Sequence, residues 1–341
     1  MSKTILVTGG TGYIAGELIT QLLQRGHRVR STVRSRAKSE PALRSRWAEA
    51  GDRLTVCEAE LMSDAGWAEA CAGCDAVAHV ASPLPVSVPR DENELIVPAR
   101  EGTLRALRCA HQAGVERFVQ TSSNAAISYG HPRSKTLFDE TDWTNLDAPG
   151  VQPYIKSKTI AERAARDWVS AHAPGMAFCS INPVLVLGPV ASAGFSASVE
   201  VVRRLLTGAI PMIPNVGFSI VDVRDVARLH VLALEADAQK IRSERFAAAS
   251  EFYWMADVAA VLRRHFGDKA RKVPVRRMPD VVLRLMGLFS RDIRQLTGEI
   301  GTRKAISGQH AKDVLGWTTL PPEQTVVDTA RSLIALGIVT I

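Results

Sequence analysis

From residue 3 to about 182 the chain alternates short β-branched apolar runs with longer segments of helical period. That alternation restricts it to βαβ units around a parallel sheet, because parallel strands need a crossover segment long enough to be a helix. Strands are expected at 3–8, 27–33, 53–58, 76–81, 117–121 and 176–182, with intervening helices beginning near Tyr13, Glu40, Ser63, Glu94 and Gln152. Gly26 and Gly114 stand where helices end before strands, as left-handed caps require. Beyond Gly188-Pro189 the alternation breaks into shorter pieces. One more strand and helix, roughly 218–235, is expected to rejoin the first sheet. Residues 250–320, with Trp254, the basic stretch Arg271 to Arg277 and the apolar helix Val281 to Leu288, read as a smaller second lobe. The expected fold is α/β, a doubly wound parallel sheet of 1–185 plus 218–248, with a smaller, mostly helical substrate lobe of 186–217 plus 249–341.

A chain of 341 residues, 46% apolar and 23% charged, suffices for about two compact units at roughly 150 residues each and is not that of a disordered or fibrous protein. Its 42 Lys and Arg against 35 Asp and Glu point to an anionic partner, either nucleic acid or a small anion. Five scattered cysteines make no disulfide framework, which implies a reducing compartment. Cys71-Ala-Gly-Cys74 lacks the second pair that four tetrahedral metal ligands need, so it reads as two ordinary thiols at a helix end, and no metal is expected. The chain opens on an apolar run with no basic leader, and no uncharged stretch of about 20 apolar residues follows. The expected setting is the cytoplasm, with no membrane partner.

Four local patterns carry chemistry. The first strand runs into Thr8-Gly9-Gly10-Thr11-Gly12-Tyr13-Ile14-Ala15-Gly16, spaced GxxGxxA, which opens a helix. Glycines there let the backbone approach a pyrophosphate, and the helix N-terminus favours its charge; the alternative is a tight strand-to-helix connection. After the second strand, where an acid would read the adenosine ribose of NAD, stands Arg34, with Arg36 and Lys38 nearby. A guanidinium there pairs with a 2'-phosphate, which selects NADP(H) over NAD and gives the positive charge a local explanation without nucleic acid; the alternative is a solvated basic face. The fifth strand delivers Ser122 and Ser123 at its C-terminal end, the edge at which doubly wound sheets bind ligands. Thirty residues later Tyr154 and Lys158, one helical turn apart, share a face. An ammonium beside a phenol favours phenolate and brings the tyrosine toward acid–base work at neutral pH, with Ser123 hydrogen-bonding the substrate oxygen.

Together these patterns resemble the extended short-chain dehydrogenase/reductases, whose nucleotide-binding half is a Rossmann fold, and within them the dihydroflavonol reductase-like group. The matching segments are Thr8 to Ala15, Arg34 after Thr32-Val33, His79 to Pro83, Thr121-Ser122-Ser123, Tyr154 to Lys158 followed by Thr159-Ile160-Ala161-Glu162, and Asn182 to Pro189. The resemblance implies a Ser123, Tyr154, Lys158 triad. In it Tyr154 donates the proton, Lys158 lowers its pKa and holds the nicotinamide ribose, and Ser123 orients the carbonyl. It further implies a cofactor site built from Gly9, Thr11, Gly12, Tyr13, Ile14, Arg34, Lys38, Glu60, Leu61, Val80, Ala81, Ser82, Thr121, Pro183, Leu185 and Val186 together with Tyr154 and Lys158. Three departures bear on the substrate. Glu60 stands where relatives have an Asp for adenine, Ser128 stands where the flavonoid enzymes carry an Asn, and Val151-Gln152-Pro153 replaces the Asn-Trp-Tyr run that leads into the tyrosine of cinnamoyl-CoA reductases.

The function expected is NADPH-dependent reduction of an apolar or aromatic aldehyde or ketone by a monomer or homodimer. The substrate walls are expected from 82–88, 123–129 and 189–214, through Leu84, Val86, Tyr129, Phe195 and Met212, with no cluster of Lys or Arg. Two other readings compete. A sugar-nucleotide epimerase or dehydratase of the same family wants an acid where Arg34 stands, and a non-catalytic NADP-sensing regulator has no need of both Tyr154 and Lys158. His79 reads as a packed strand histidine rather than a base.

Overall fold

Hydrophobic runs too short for helices become strands buried on both faces, because helices cover both sides of a parallel sheet. Strands β1 (Thr4–Val7), β2 (Arg28–Val33), β3 (Leu54–Glu58), β4 (Ala76–His79) and β5 (Arg117–Thr121) lie within the expected ranges. They are followed by β6 (Leu137–Phe138), β7 (Ala177–Pro183), β8 (Leu185–Leu187), β9 (Gly217–Asp222), β10 (Glu244–Ala248), β11 (Phe252–Trp254) and β12 (Ala305–Ile306). This computed structural model describes residues 2–83, 89–192 and 195–341, apart from the side chains of Arg291, Asp292 and Gln295. Seven strands form one parallel sheet in the order β10-β7-β5-β4-β1-β2-β3. The direction of winding reverses between β1 and β4, and the crevice beyond their C-terminal ends is where such sheets bind ligands.

Helices α1 (Tyr13–Gln24), α2 (Arg36–Arg46), α3 (Trp67–Cys71), α4 (Asn93–Gln112), α5 (Pro153–His172), α6 (Ala197–Thr207) and α7 (Val223–Glu235) follow in turn. Two start away from their expected positions. α2 begins four residues before Glu40 despite Pro41, because Glu58 accepts the Arg36 N–H at 2.8 Å and the Arg36–Glu40 pair spans the first turn. α3 begins four residues after Ser63. That serine instead closes a tight turn by accepting the Ala65 N–H at 3.2 Å, and the helix starts at the buried Trp67, whose indole donates to the Glu60 carbonyl at 2.8 Å. Gly26 and Gly114 do take left-handed conformations, with φ of 81° and 75°.

One strand goes elsewhere than expected. β9 does not rejoin the first sheet. It pairs with β8 and β11 in a three-stranded sheet, while β10 takes the seventh place beside β7. The reason is that β9 lies between two cores. Ile220 packs with Val199, Val202, Leu206, Leu262 and Leu333 of the second lobe, whereas Val221 packs with Leu18, Leu22 and Leu229 beneath the main sheet. On the opposite face of the main sheet Trp67, Leu107, Phe118, Val169 and Phe178 make a further core under α4 and α5. Cys71 and Cys74 belong to it as free, buried thiols at the end of α3, and burial pushes Cys71 up to about 12.

Candidate active site

The glycine-rich turn is clamped to the end of β4 by one hydroxyl. Thr8 Oγ1 accepts the N–H groups of Val80 and Ala81 at 3.0 and 2.9 Å and pairs with His79 Nδ1 at 3.1 Å. His79 itself is buried and held neutral, its pKa lowered to about 3 by burial and then by the Lys158 charge, as befits a packed strand histidine. Gly9 takes φ 71° and donates its N–H to Thr32 Oγ1 at 3.1 Å. A Cβ on Gly10 would lie 1.9 Å from Ser31 Oγ, so only glycine lets the turn sit this close to β2. Gly12 precedes α1 and offers no side-chain cap, which leaves the helix N-terminus facing the crevice.

The remaining residues expected to hold a cofactor lie along the same C-terminal edge. Arg34 follows β2 and Lys38 sits in the first turn of α2, both exposed, while Arg36 is paired with Glu40 at 2.5 Å. Glu60 and Leu61 follow β3; Glu60 is exposed and Leu61 packs against Gly102. Val80, Ala81 and Ser82 follow β4 half-buried, Thr121 ends β5, Pro183 ends β7, and Leu185 and Val186 open β8. Two of these side chains have structural partners. Thr121 Oγ1 meets His230 Nε2 of α7 at 2.7 Å, and Tyr13 donates its hydroxyl to the Gly188 carbonyl at 2.8 Å, tying α1 to the second lobe. Thr11, Gly12 and Tyr13 share a cavity of about 30 Å³ with Phe195 and Arg46.

Past β5, Ser123 accepts the Ala125 N–H at 3.1 Å and so caps the short turn Asn124–Ala126. Its hydroxyl also hydrogen-bonds the Tyr154 phenol. Tyr154 stands at the second position of α5, after Pro153, and Lys158 Nζ lies 6.0 Å from the centre of the Tyr154 ring. The three residues expected to act together are therefore adjacent. Their electrostatics differ from expectation in one respect. Burial raises the Tyr154 pKa, and the Ser123 hydrogen bond offsets only part of that; it is Lys158, 8% exposed, that shifts far, lowered to about 8 by burial against the pull of Glu162. The desolvation that both groups share outweighs the ammonium's effect on the phenol.

The substrate side holds more than the expected stretches. Leu84 and Val86 lie outside the described residues. Tyr129 is flanked by Lys304, whose Nζ is 4.4 Å from its ring centre and which pairs with Glu299 at 2.8 Å. Arg303 lies 5.5 Å from the Phe252 ring centre. Within the segment 299–304, Lys304 thus brings one cation to Tyr129, a residue of a wall expected to lack them, and is neutralised there by Glu299. It sits some 170 residues from Tyr129 and carries no local signal that could have marked it.

Residues 5–249 match the model of the NAD dependent epimerase/dehydratase family. The chain belongs to that family. Relatives of this epimerase/dehydratase-family chain include cinnamoyl-CoA reductase 1 of Petunia hybrida, 35% identical over 78% of each chain. Dihydroflavonol 4-reductase of Hordeum vulgare is 37% identical over 60% of this chain and 59% of its own. The backbone is similar to that of Gre2 from Candida albicans in its NADPH complex, with a TM-score of 0.81 at 24% identity over 98% of this chain and 99% of the other. That likeness extends the shared fold through the second lobe, beyond the span of the family model.

Proposed function

We propose that this epimerase/dehydratase-family chain is an NADPH-dependent reductase of apolar or aromatic aldehydes and ketones. The single observation that carries this reading is the adjacency of Ser123, Tyr154 and Lys158 at the strand edge that also presents the glycine-rich turn and Arg34. The cradle fits a dinucleotide. Gly10 lets the turn lie against Ser31 of β2, the N-terminus of α1 is uncapped, and Arg34 and Lys38 are exposed where a 2'-phosphate would lie. The first turn of α1 would hold the pyrophosphate, and Val80 to Ser82 with Pro183, Leu185 and Val186 would line the nicotinamide half.

NADPH, when bound, would supply the hydride for the carbonyl carbon. Everything else falls to the chain. Ser123 donates a hydrogen bond to the carbonyl oxygen and fixes its position. Tyr154, whose raised pKa keeps it protonated at neutral pH, gives that oxygen its phenolic proton, and the product is the alcohol. The Lys158 ammonium stabilises the phenolate left behind. With a pKa near 8 in place of the ordinary 10.5, Lys158 loses its charge as pH rises past 8, so kcat/KM is expected to fall on an alkaline limb near pH 8. Lys158→Arg removes a titrating group in that range, and a limb that persists unchanged in the variant would assign it elsewhere.

Support for an aromatic or apolar substrate comes from Tyr129 beside the triad, from the mutual neutralisation of Lys304 and Glu299, and from a relative whose name carries a flavonol group. The test is NADPH oxidation with a panel of carbonyl compounds. An aromatic aldehyde or ketone is expected to give a higher kcat/KM than a phosphorylated or nucleotide-linked carbonyl. Preference for the nucleotide-linked compound would favour an epimerase or dehydratase activity instead.

A further inference from the structure

Behind the triad lies a buried carboxylate with no part in the mechanism above. Glu162 is one turn beyond Lys158 on α5 and 0% exposed, yet five side chains converge on it. Its Oε1 accepts Arg245 Nε at 2.6 Å and Ser180 Oγ at 2.8 Å, with Arg166 Nε at 3.4 Å. Its Oε2 accepts Asn182 Nδ2 at 2.7 Å and the hydroxyl of Ser122. Asn182 Nδ2 also donates to the Ser123 carbonyl at 3.1 Å, and the Ser122 N–H reaches the Ile181 carbonyl at 2.7 Å. The segment that carries Ser123 is thereby held from below on both sides.

Arg245 comes from β10, the edge strand contributed by the later part of the chain. Its guanidinium lies 3.7 Å from the Trp143 ring centre and donates to the carbonyls of Glu140, Asp142 and Ala126 at 2.5, 2.6 and 3.3 Å. Strand register sets Arg245, Ser180, Gln120 and His79 side by side on β10, β7, β5 and β4, a polar row that ends at Thr8 under the glycine-rich turn. A carboxylate buried among apolar helices would be costly without such partners. Burial alone would raise its pKa, but the Arg245 and Arg166 charges, with the hydrogen bonds from Arg245 and Ser122, hold it below its ordinary value, so it is ionised.

We propose that Glu162 is a positioning residue of the reaction: its carboxylate, held by Arg245 and Arg166, fixes Ser123 through Ser122 and Asn182 and sets a negative charge one turn below the Lys158 ammonium. This rests on the catalytic reading of Ser123, Tyr154 and Lys158. The groups facing Lys158 are Tyr154 and Glu162 on its own helix and neutral His79 on β4, so Glu162 is the anion that supports its charge. Neutralising Glu162 lets burial act unopposed and lowers the pH at which the ammonium is lost.

The experiment compares Glu162→Gln, Glu162→Asp and Ser122→Ala with the wild-type protein, using the best carbonyl of the panel and, separately, NADPH binding and thermal unfolding. In Glu162→Gln the alkaline limb of kcat/KM is expected to move toward acid by about one pH unit, lowering kcat/KM at pH 8 about fivefold and at pH 9 and above about tenfold, with NADPH affinity little changed. Glu162→Asp is expected to return the limb toward its wild-type place, which a purely structural role would not require. Ser122→Ala, which keeps both charges, is expected to lower kcat without moving the limb, and it decides the matter if Glu162→Gln does not fold. An unmoved limb in folded Glu162→Gln, or undiminished kcat in Ser122→Ala when the former is unfolded, overturns the proposal. Should Tyr154→Phe retain turnover, the catalytic reading itself fails; should that variant be inactive while Glu162→Gln matches wild type, only the role of Glu162 fails.

Discussion

Tyr154→Phe is expected to lower kcat by about 10²–10⁴-fold, the range associated with losing a positioned general acid. The substitution removes one oxygen. Phenylalanine keeps the ring in place on α5, and Ser123 still accepts the Ala125 N–H, so the site's shape and NADPH binding are expected to survive. Lys158→Ala, by contrast, is expected to damage both turnover and cofactor binding, because the family resemblance also assigns the ammonium to the nicotinamide ribose. Single-turnover measurement of NADPH oxidation with the variant bound to cofactor separates the two. Retention of more than about a tenth of kcat, a loss below roughly 1.4 kcal/mol of barrier, would remove Tyr154 from the role of proton donor.

Arg34→Ala is expected to weaken NADPH binding about 10–100-fold while leaving NADH binding unchanged, as loss of a charge-assisted hydrogen bond of roughly 1.5–3 kcal/mol predicts. The side chain is exposed beyond β2, so the substitution costs the fold little and the effect is confined to the 2'-phosphate. Titration of protein fluorescence with each cofactor measures both constants. Equal affinities of the wild-type protein for NADPH and NADH would overturn the assignment, whatever the variant does.

Much of the site was legible because its parts are local. The GxxGxxA turn, Arg34 after β2, the serines after β5 and the Tyr154–Lys158 spacing each lie within a few residues, and a parallel sheet brings the ends of its strands to one edge wherever they fall in the chain. The electrostatics were less legible. That an ammonium one turn from a phenol favours phenolate is sound, but its size depends on how far both groups are withdrawn from water, and no spacing encodes that. The helix starts at Arg36 and Trp67 were missed for a similar reason. Glu58 and Glu60, on and just past the neighbouring strand, supply the hydrogen bonds that decide them.

The sequence by itself determined the order of strands and helices in the first half, the parallel sheet, and which residues would meet at its edge, because periodicity and glycine positions act over one element or one turn. Only the tertiary structure decided that β9 leaves the main sheet for β8 and β11, that 299–304 stands beside Tyr129, and that Arg245 reaches Glu162 across 83 residues. These depend on which apolar faces are covered together and on which buried charge finds its partner, free energies set by the assembled elements rather than by any one of them.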